Sequence, residues 1–280
     1  MRLTELQRHV SSMEELERIV ATMRAAAGMR VQEAERTLSS VRQYGDALAR
    51  AVRDALAIAA DANAQLMIRS SGRRRAVVLF ASEHGFVGGF NERLMGAVEL
   101  DLTPSDTLLI LGSRGAILAA ERGHSAAWTH PMATHIASIP ETVRRLEHAL
   151  YPRIARAEIA RAEVVFARYG RGGSPIERRC LFPLELEAAG RAERGPAPLH
   201  DLPVSRLLER LTAEYIVAQL TEAAVEALAA ENKARFATME SASENIGRKL
   251  EELRLEVSRA RQEEITTELL DLLAGELAVS

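Results

Sequence analysis

No proline occurs before Pro104 and none after Pro203, so nothing in either end of this 280-residue chain forces a break in a helix. About sixty residues at the start and about seventy-five at the end read as uninterrupted helix. At roughly 1.5 Å per residue the second run would extend on the order of 110 Å. A helix of that length cannot be buried inside a domain of this size. Each run needs the other, or a partner, along its length, and the chain reads as a shaft with a knob inserted into it.

Both runs carry an apolar seam. In the first, apolar residues fall at Leu3, Leu6, Val10, Met13, Val20, Ala27, Val31, Ala34, Leu38, Val41, Leu48 and Val52. Steps of three and four, or their multiples, trace one helix face and fit a heptad. In the second, Leu208, Leu211, Tyr215, Ala218, Val225, Ala229, Phe236, Met239, Ile246, Leu250, Leu253, Val257 and Ala260 do the same. Beyond Ala260 the phase shifts to Ile265, Leu269, Leu272 and Leu273. The seams have faults, at Glu17, Arg24 and Gly45 in the first and at Glu222, Asn232 and Ser243 in the second. Such faults either fix register within a coiled coil or face the polar surface of another protein, and spacing alone does not choose between the two. An antiparallel coiled coil is the simplest way to bury both seams.

The texture changes near Ser71 and Gly72. Ala76–Phe80 is a short apolar run bounded by turn residues and reads as a buried strand. A helix from about Asn91 to Glu99, a strand at Thr107–Leu111, a short helix at Gly115–Arg122 and a strand at Ala126–Thr129 follow. Pro140 opens a helix through about Glu158, with Pro152 placed to kink or split it. Glu163–Arg168 and Ile176–Leu181 are two further strands joined by a glycine-rich hairpin. Strands alternating with helices predict a small parallel or mixed sheet covered on its faces. The expected organisation is a first shaft helix over 1–65, a Rossmann-like α/β domain over 72–187, a linker over 188–203, and a second shaft helix over 204–280. The fold class is α-rich α+β.

Composition excludes several functions. A formal net charge of −3 supplies no global basic field for nucleic acid. The single Cys180 rules out an internal disulfide and a cysteine metal cage. No apolar run approaches the ~20 residues of a membrane span, and helix pattern beginning right after Met1 leaves no room for a signal peptide. Gly85-Phe86-Val87-Gly88-Gly89-Phe90-Asn91 follows a strand and opens a helix, the place where backbone amides hold phosphate. It lacks the Gly-Lys-Ser/Thr of a phosphate loop and the spacing of a dinucleotide fingerprint. Gly85, Gly88, Gly89 and Asn91 therefore read as a tight structural turn. The seven histidines are scattered, and Glu83-His84 would usually point apart at a strand end. No catalytic residue, cofactor or metal site is expected.

Arg259 to Gly275, Arg-Ala-Arg-Gln-Glu-Glu-Ile-Thr-Thr-Glu-Leu-Leu-Asp-Leu-Leu-Ala-Gly, closely resembles the Arg-Gln-x-x-Ile-Thr-x-Glu-Leu signature of the gamma subunit of F-type ATP synthases. Ser82 to Asn91 is similar to that family's Ser-Asp-Arg-Gly-Leu-Cys-Gly-Gly-Leu-Asn. Arg18 to Ala27 resembles its Lys-Ile-Thr-x-Ala-Met-x-Met-Val-Ala, and Leu181-Phe182-Pro183-Leu184 stands where the family has Leu-Leu-Pro-Leu. The resemblance spans the chain in order.

It implies a central rotor shaft whose paired terminal helices fill the ring of catalytic and non-catalytic subunits. The α/β domain would meet the epsilon subunit and the membrane rotor ring, with one copy per complex, peripheral on the cytoplasmic face of a bacterial inner membrane. By the same match, Met23, Arg24, Arg261, Gln262 and Thr266 are implied ring contacts, and Asn232 to Arg235, with Lys233 and Arg235, falls in a polar, basic contact region. Departures exist: Glu83-His84 replaces Asp-Arg, Val87 replaces Cys, and Glu14, Glu15 and Glu17 stand where lysines are usual. They suit a divergent bacterial F-type ATPase, and a missing cysteine pair implies no thiol regulation. The alternatives are a structural coiled-coil adaptor and a small-molecule binder with helical arms.

Overall fold

The computed structural model describes residues 3–61, 74–170, 172–184 and 199–279. Ser71, Gly72 and residues 188–198 of the expected linker lie outside the described residues. The long helices are α1, Leu3–Asp61, and α5, Val204–Val279. α1 runs unbroken through Gly45, and α5 begins at the residue after Pro203, as a fixed proline φ favours at a helix start.

Between them come β1 (Arg74–Phe80), α2 (Phe90–Glu99), β2 (Thr107–Leu111), α3 (Ser113–Glu121), β3 (Trp128–His130), α4 (Ile139–Ala155), β4 (Ile159–Ala167) and β5 (Ile176–Phe182). The sheet order is β3-β2-β1-β4-β5. β1, β2, β3 and β4 are parallel, with Val78 opposite Leu109 and Val164, and β5 returns antiparallel to β4. Strand order thus reverses direction between β1 and β4, as in doubly wound sheets.

β1 and α3 each begin two residues before the expected start, and three further elements differ from the expected bounds for a local reason. β4 starts at Ile159 rather than Glu163, because Ile159, Arg161 and Ala162 pair with Arg74, Arg75 and Ala76 of β1; buried Glu163 is absorbed by Arg178 at 2.7 Å and Arg75 at 3.1 Å. β3 is shifted to Trp128–His130, where it pairs with Leu109–Leu111. α4 is not split at Pro152. It continues to Ala155 and ends where Ala157 takes a left-handed φ of 56°, with the Glu158 N–H donating back to the Arg153 carbonyl at 3.0 Å.

By compactness the chain falls into two units, Gly28–Ala234 and a second one made of Met1–Ala27 with Arg235–Ser280. In the first, α2 and α3 cover one face of the sheet, Phe90, Leu94, Met95 and Val98 packing against Val77, Leu79 and Ile110. The other face packs Val78, Phe80, Leu109 and Phe166 against Val143 and Leu146 of α4, Ala34 and Leu38 of α1, and Leu220 to Ala229 of α5. Within this unit α1 and α5 run antiparallel. Arg42 meets Glu222 and Glu226, whereas Tyr44, further along α1, donates to the earlier Glu214 at 2.7 Å. In the second unit Leu6, Ala27, Met239, Leu250 and Leu253 are buried, and Arg254 pairs with Glu14 at 2.8 Å.

Candidate functional site

The Gly85–Asn91 turn spends its polar groups on itself. The Asn91 side-chain amide donates to Ser82 Oγ at 2.8 Å and accepts from the Ser82 N–H at 3.0 Å, all of it buried. Gly88 sits at φ 56°, where a side chain is strained, and a Cβ on Gly85 would come within 3.3 Å of the Arg114 guanidinium. Gly89 has an ordinary φ of −76° and open space around its α-carbon. Glu83 directs its hydrogen bonds to α3 and to the segment after β3. Its carboxylate accepts the N–H and hydroxyl of Ser113 and the N–H of Met132, at 3.0, 2.7 and 2.8 Å. It thereby caps α3, whose own N-cap, Gly112, has no side chain to do so. The groove beside the turn carries Glu92 and Glu121 with Arg114, a charge balance unsuited to phosphate.

Of the residues expected to face a ring, Met23, Arg24, Arg261, Gln262 and Thr266 lie in the smaller unit. Met23 and Arg24 are half-buried on α1, and Met23 borders a shallow patch with Glu15, Arg18 and Ile19. Ile19 and Leu16 are 50% and 48% exposed, large apolar side chains on that helix that the seam pattern left off its face. On α5, every side chain from Arg261 to Leu270 is exposed. Gln262 and Thr266 share a shallow patch with Arg259, Glu263 and Thr267, the Thr266 hydroxyl donating to the Gln262 carbonyl at 2.8 Å. Counting outward from the Glu14–Arg254 pair, antiparallel helices bring Leu3 level with Ile265. From Thr266 on, α5 therefore lies beyond the level of Leu3, the first described residue of α1.

The Asn232–Arg235 stretch is different. Asn232 is buried and donates to the Leu228 carbonyl at 2.8 Å, and Arg235 is only 5% exposed. The Lys233 ammonium donates to the Gly170 carbonyl and lies 5.6 Å from the Tyr169 ring centroid, a cation–π contact. These basic groups are engaged within the chain, in contrast to Arg261. Glu222, read as a seam fault, is also internal, accepting from Arg42 at 3.4 Å and from Arg179 of β5 at 3.0 Å. Burial works against the charge of Arg179, but Glu222 and Glu177 outweigh it and raise its pKa. Nothing in the sequence pattern showed that the seam fault would meet a strand.

Among the described residues no helix is long and apolar enough to cross a membrane, and no group of His, Cys, Asp or Glu is arranged to hold a metal. A model of the ATP synthase family matches residues 2–279. The ATP synthase gamma chain of a Geobacter species is 26% identical, over 98% of this chain and 97% of that one. The gamma chain of Rubrobacter xylanophilus is 25% identical, over 99% and 98%. Among solved structures, a chain of the Euglena gracilis mitochondrial ATP synthase rotor superposes with a TM-score of 0.60 at 16% identity, covering 94% of this chain and 98% of that one. A chain of the central stalk and c-ring assembly of Tetrahymena thermophila mitochondrial ATP synthase gives 0.55 at 13%, covering 80% and 99%. At such identities the structural likeness speaks for the fold, and the sequence matches, running end to end, speak for descent. A paired-helix shaft with an α/β body, matched over nearly its whole length, places the chain in the gamma-subunit family of F-type ATP synthases.

Proposed function

We propose that this chain is the central-stalk rotor subunit of an F-type ATP synthase, non-catalytic itself, coupling ion-driven rotation of a membrane ring to the catalytic sites of the surrounding head. The observation that carries this reading is the exposed end of α5. Every side chain from Arg261 to Leu270 is exposed, Arg261 and Gln262 beside the first turns of α1 and Thr266 and Leu269 beyond the level of Leu3, the first described residue of α1. A helix end of this kind is stable when something encloses it. In the complex, Arg261, Gln262 and Thr266 on α5, with Met23 and Arg24 on α1, meet the ring of catalytic and non-catalytic subunits. Their contact is polar and shallow. Deep apolar locking at one angle would oppose rotation, whereas modest contacts at many angles permit it. The asymmetric two-helix section forces three catalytic sites into different conformations. One copy serves each complex, the α/β body meets the epsilon subunit and the membrane ring, and the assembly is peripheral on the cytoplasmic face of the membrane.

The test is reconstitution with the catalytic and non-catalytic ring subunits encoded beside this chain. One copy should co-purify per ring and stimulate cooperative ATP hydrolysis. A chain that stays alone or forms its own oligomers would overturn the assignment and favour the adaptor. Replacing Arg261 and Gln262 together by Ala should weaken ATP-driven ion pumping, and unchanged pumping would count against their contact with the ring.

A further inference from the structure

Parallel sheets of this kind hold their ligands beyond the carboxyl ends of the strands, where strand order reverses. Here that point lies between β1 and β4, and it receives the chain's own helix. α5 packs against one face of the sheet through Ala229 and reaches the core of the other face through Ala230. The residues just past β4 are gripped as a ligand would be. Glu226, 1% exposed, accepts the Tyr169 N–H at 2.6 Å with one oxygen and Arg42 of α1 with the other. Tyr169 in turn donates its hydroxyl to Glu35 of α1 at 2.5 Å. Two turns further along the same face of α5, Lys233 binds the Gly170 carbonyl and stands over the Tyr169 ring.

We propose that Tyr169 and Gly170 form a clamp that locks the sheet in rotation to the α1–α5 pair, with Glu226 as its positioning residue. The proposal rests on the rotor reading above. The physical reason is directional. Apolar packing between sheet and helices is large but non-directional, so it resists sliding and twisting less sharply than hydrogen bonds of fixed geometry to a buried charge. A body that must turn with its shaft under load needs bonds of the second kind. Glu226 supplies them to both helices and the sheet at once.

The test uses the full chain with Glu226→Ala, Glu226→Gln and Tyr169→Phe. Glu226→Gln keeps an oxygen for the Tyr169 N–H and loses the charge facing Arg42. Tyr169→Phe removes the hydroxyl that bonds Glu35 and keeps the backbone N–H that bonds Glu226. First, hydrogen exchange at the Tyr169 amide of the free chain should accelerate about ten- to a hundredfold in Glu226→Ala, as expected for loss of a hydrogen bond to a charged group, and less in Glu226→Gln. Second, in the reconstituted complex Glu226→Ala should keep ATP hydrolysis within about twofold while ion pumped per ATP falls several-fold, and Glu226→Gln should restore most of it. Unchanged exchange at Tyr169 overturns the clamp. Faster exchange with hydrolysis and pumping falling together overturns its coupling role and leaves Glu226 structural. If the unsubstituted chain neither assembles nor pumps, the rotor reading fails, while the exchange measurement still decides the clamp. Should Glu226→Ala not fold, Glu226→Gln decides the clamp by exchange at the Tyr169 amide, where a smaller acceleration is expected and unchanged exchange overturns it.

Discussion

Asn91 and Ser82 form a closed pair under the glycine turn, and the cost of opening it is set by what would be left behind. Asn91→Ala strands the Ser82 N–H and hydroxyl in a buried site. We expect a loss of about 2–3 kcal/mol in urea unfolding, and a loss near zero would show that water enters the turn. Glu83 gives a pH-dependent counterpart. Burial pushes its carboxyl up, but the Ser113 hydroxyl and the Ser113 and Met132 N–H groups outweigh this and hold it below the ordinary 4.5. A depressed carboxyl contributes stability that is present above 4.5 and lost as pH falls through the folded-state value. Glu83→Gln should therefore cost about 1 kcal/mol at neutral pH, the low end because the group is partly solvated. The gap should close in acid, and a gap independent of pH would sink this account. At this scale the glycine spacing announced a turn, and Gly88 takes the positive φ that glycine supplies, whereas the Asn91–Ser82 clip could not be read from spacing. The conformation of Phe86, a residue held at φ 61° and 64% exposed, was not legible: a bulky residue rarely adopts it, so no pattern announces it.

α5 changes environment along its length in a way its apolar spacing does not record. From Ala223 to Asn232 every residue is buried, from Arg235 to Ala260 burial follows one stripe, and Arg261 to Leu270 is exposed throughout. Heptad reading found the stripe, and all of its named positions are buried or half-buried. It did not find the second packed side, because that side is built of Ala223, Ala224, Ala227 and Ala230. Alanine is as common on solvated helix faces as in close contacts, so only the sheet packed against it distinguishes the two. Ala224→Leu should accordingly cost about 1–3 kcal/mol through overpacking, although it raises helix hydrophobicity. Leu255→Ala, at a residue 61% exposed, should stay within about 0.5 kcal/mol. Equal effects in thermal unfolding would contradict the two-sided packing. The α3–β1 contact makes the same point in the sheet. A Cβ on Gly115 would stand 2.1 Å from that of Ala81, so Gly115→Ala should destabilise and Ala81→Gly should relieve part of the loss. Gly115 looked like an ordinary helix start in the sequence, which cannot show how closely another element approaches.

For the chain as a whole, the proposed rotor role assigns stability and coupling to different stretches of the same helix, and substitutions can separate them. Leu253 is 6% exposed in the packed stripe of α5, whereas Ile265 and Leu269, in the family's signature stretch, are 50% and 55% exposed. An aspartate at Leu253 buries a charge without a partner and should lower the stability of the free chain by several kcal/mol. Aspartates at Ile265 and Leu269 stay solvated on half-exposed positions of the free chain and should leave its unfolding within about 0.5 kcal/mol. In the assembled complex the order reverses for function. If a ring encloses this end of α5, Ile265→Asp and Leu269→Asp place charge against it and should depress co-purification or ATP-driven pumping, although the free chain is as stable as before. The measurement is thermal unfolding of the free chain beside pumping by reconstituted vesicles, with Leu255→Ala as a surface control. Full pumping by the double aspartate variant would mean that the exposed end of α5 is not enclosed, and the reading of this helix as the shaft's bearing would fail with it.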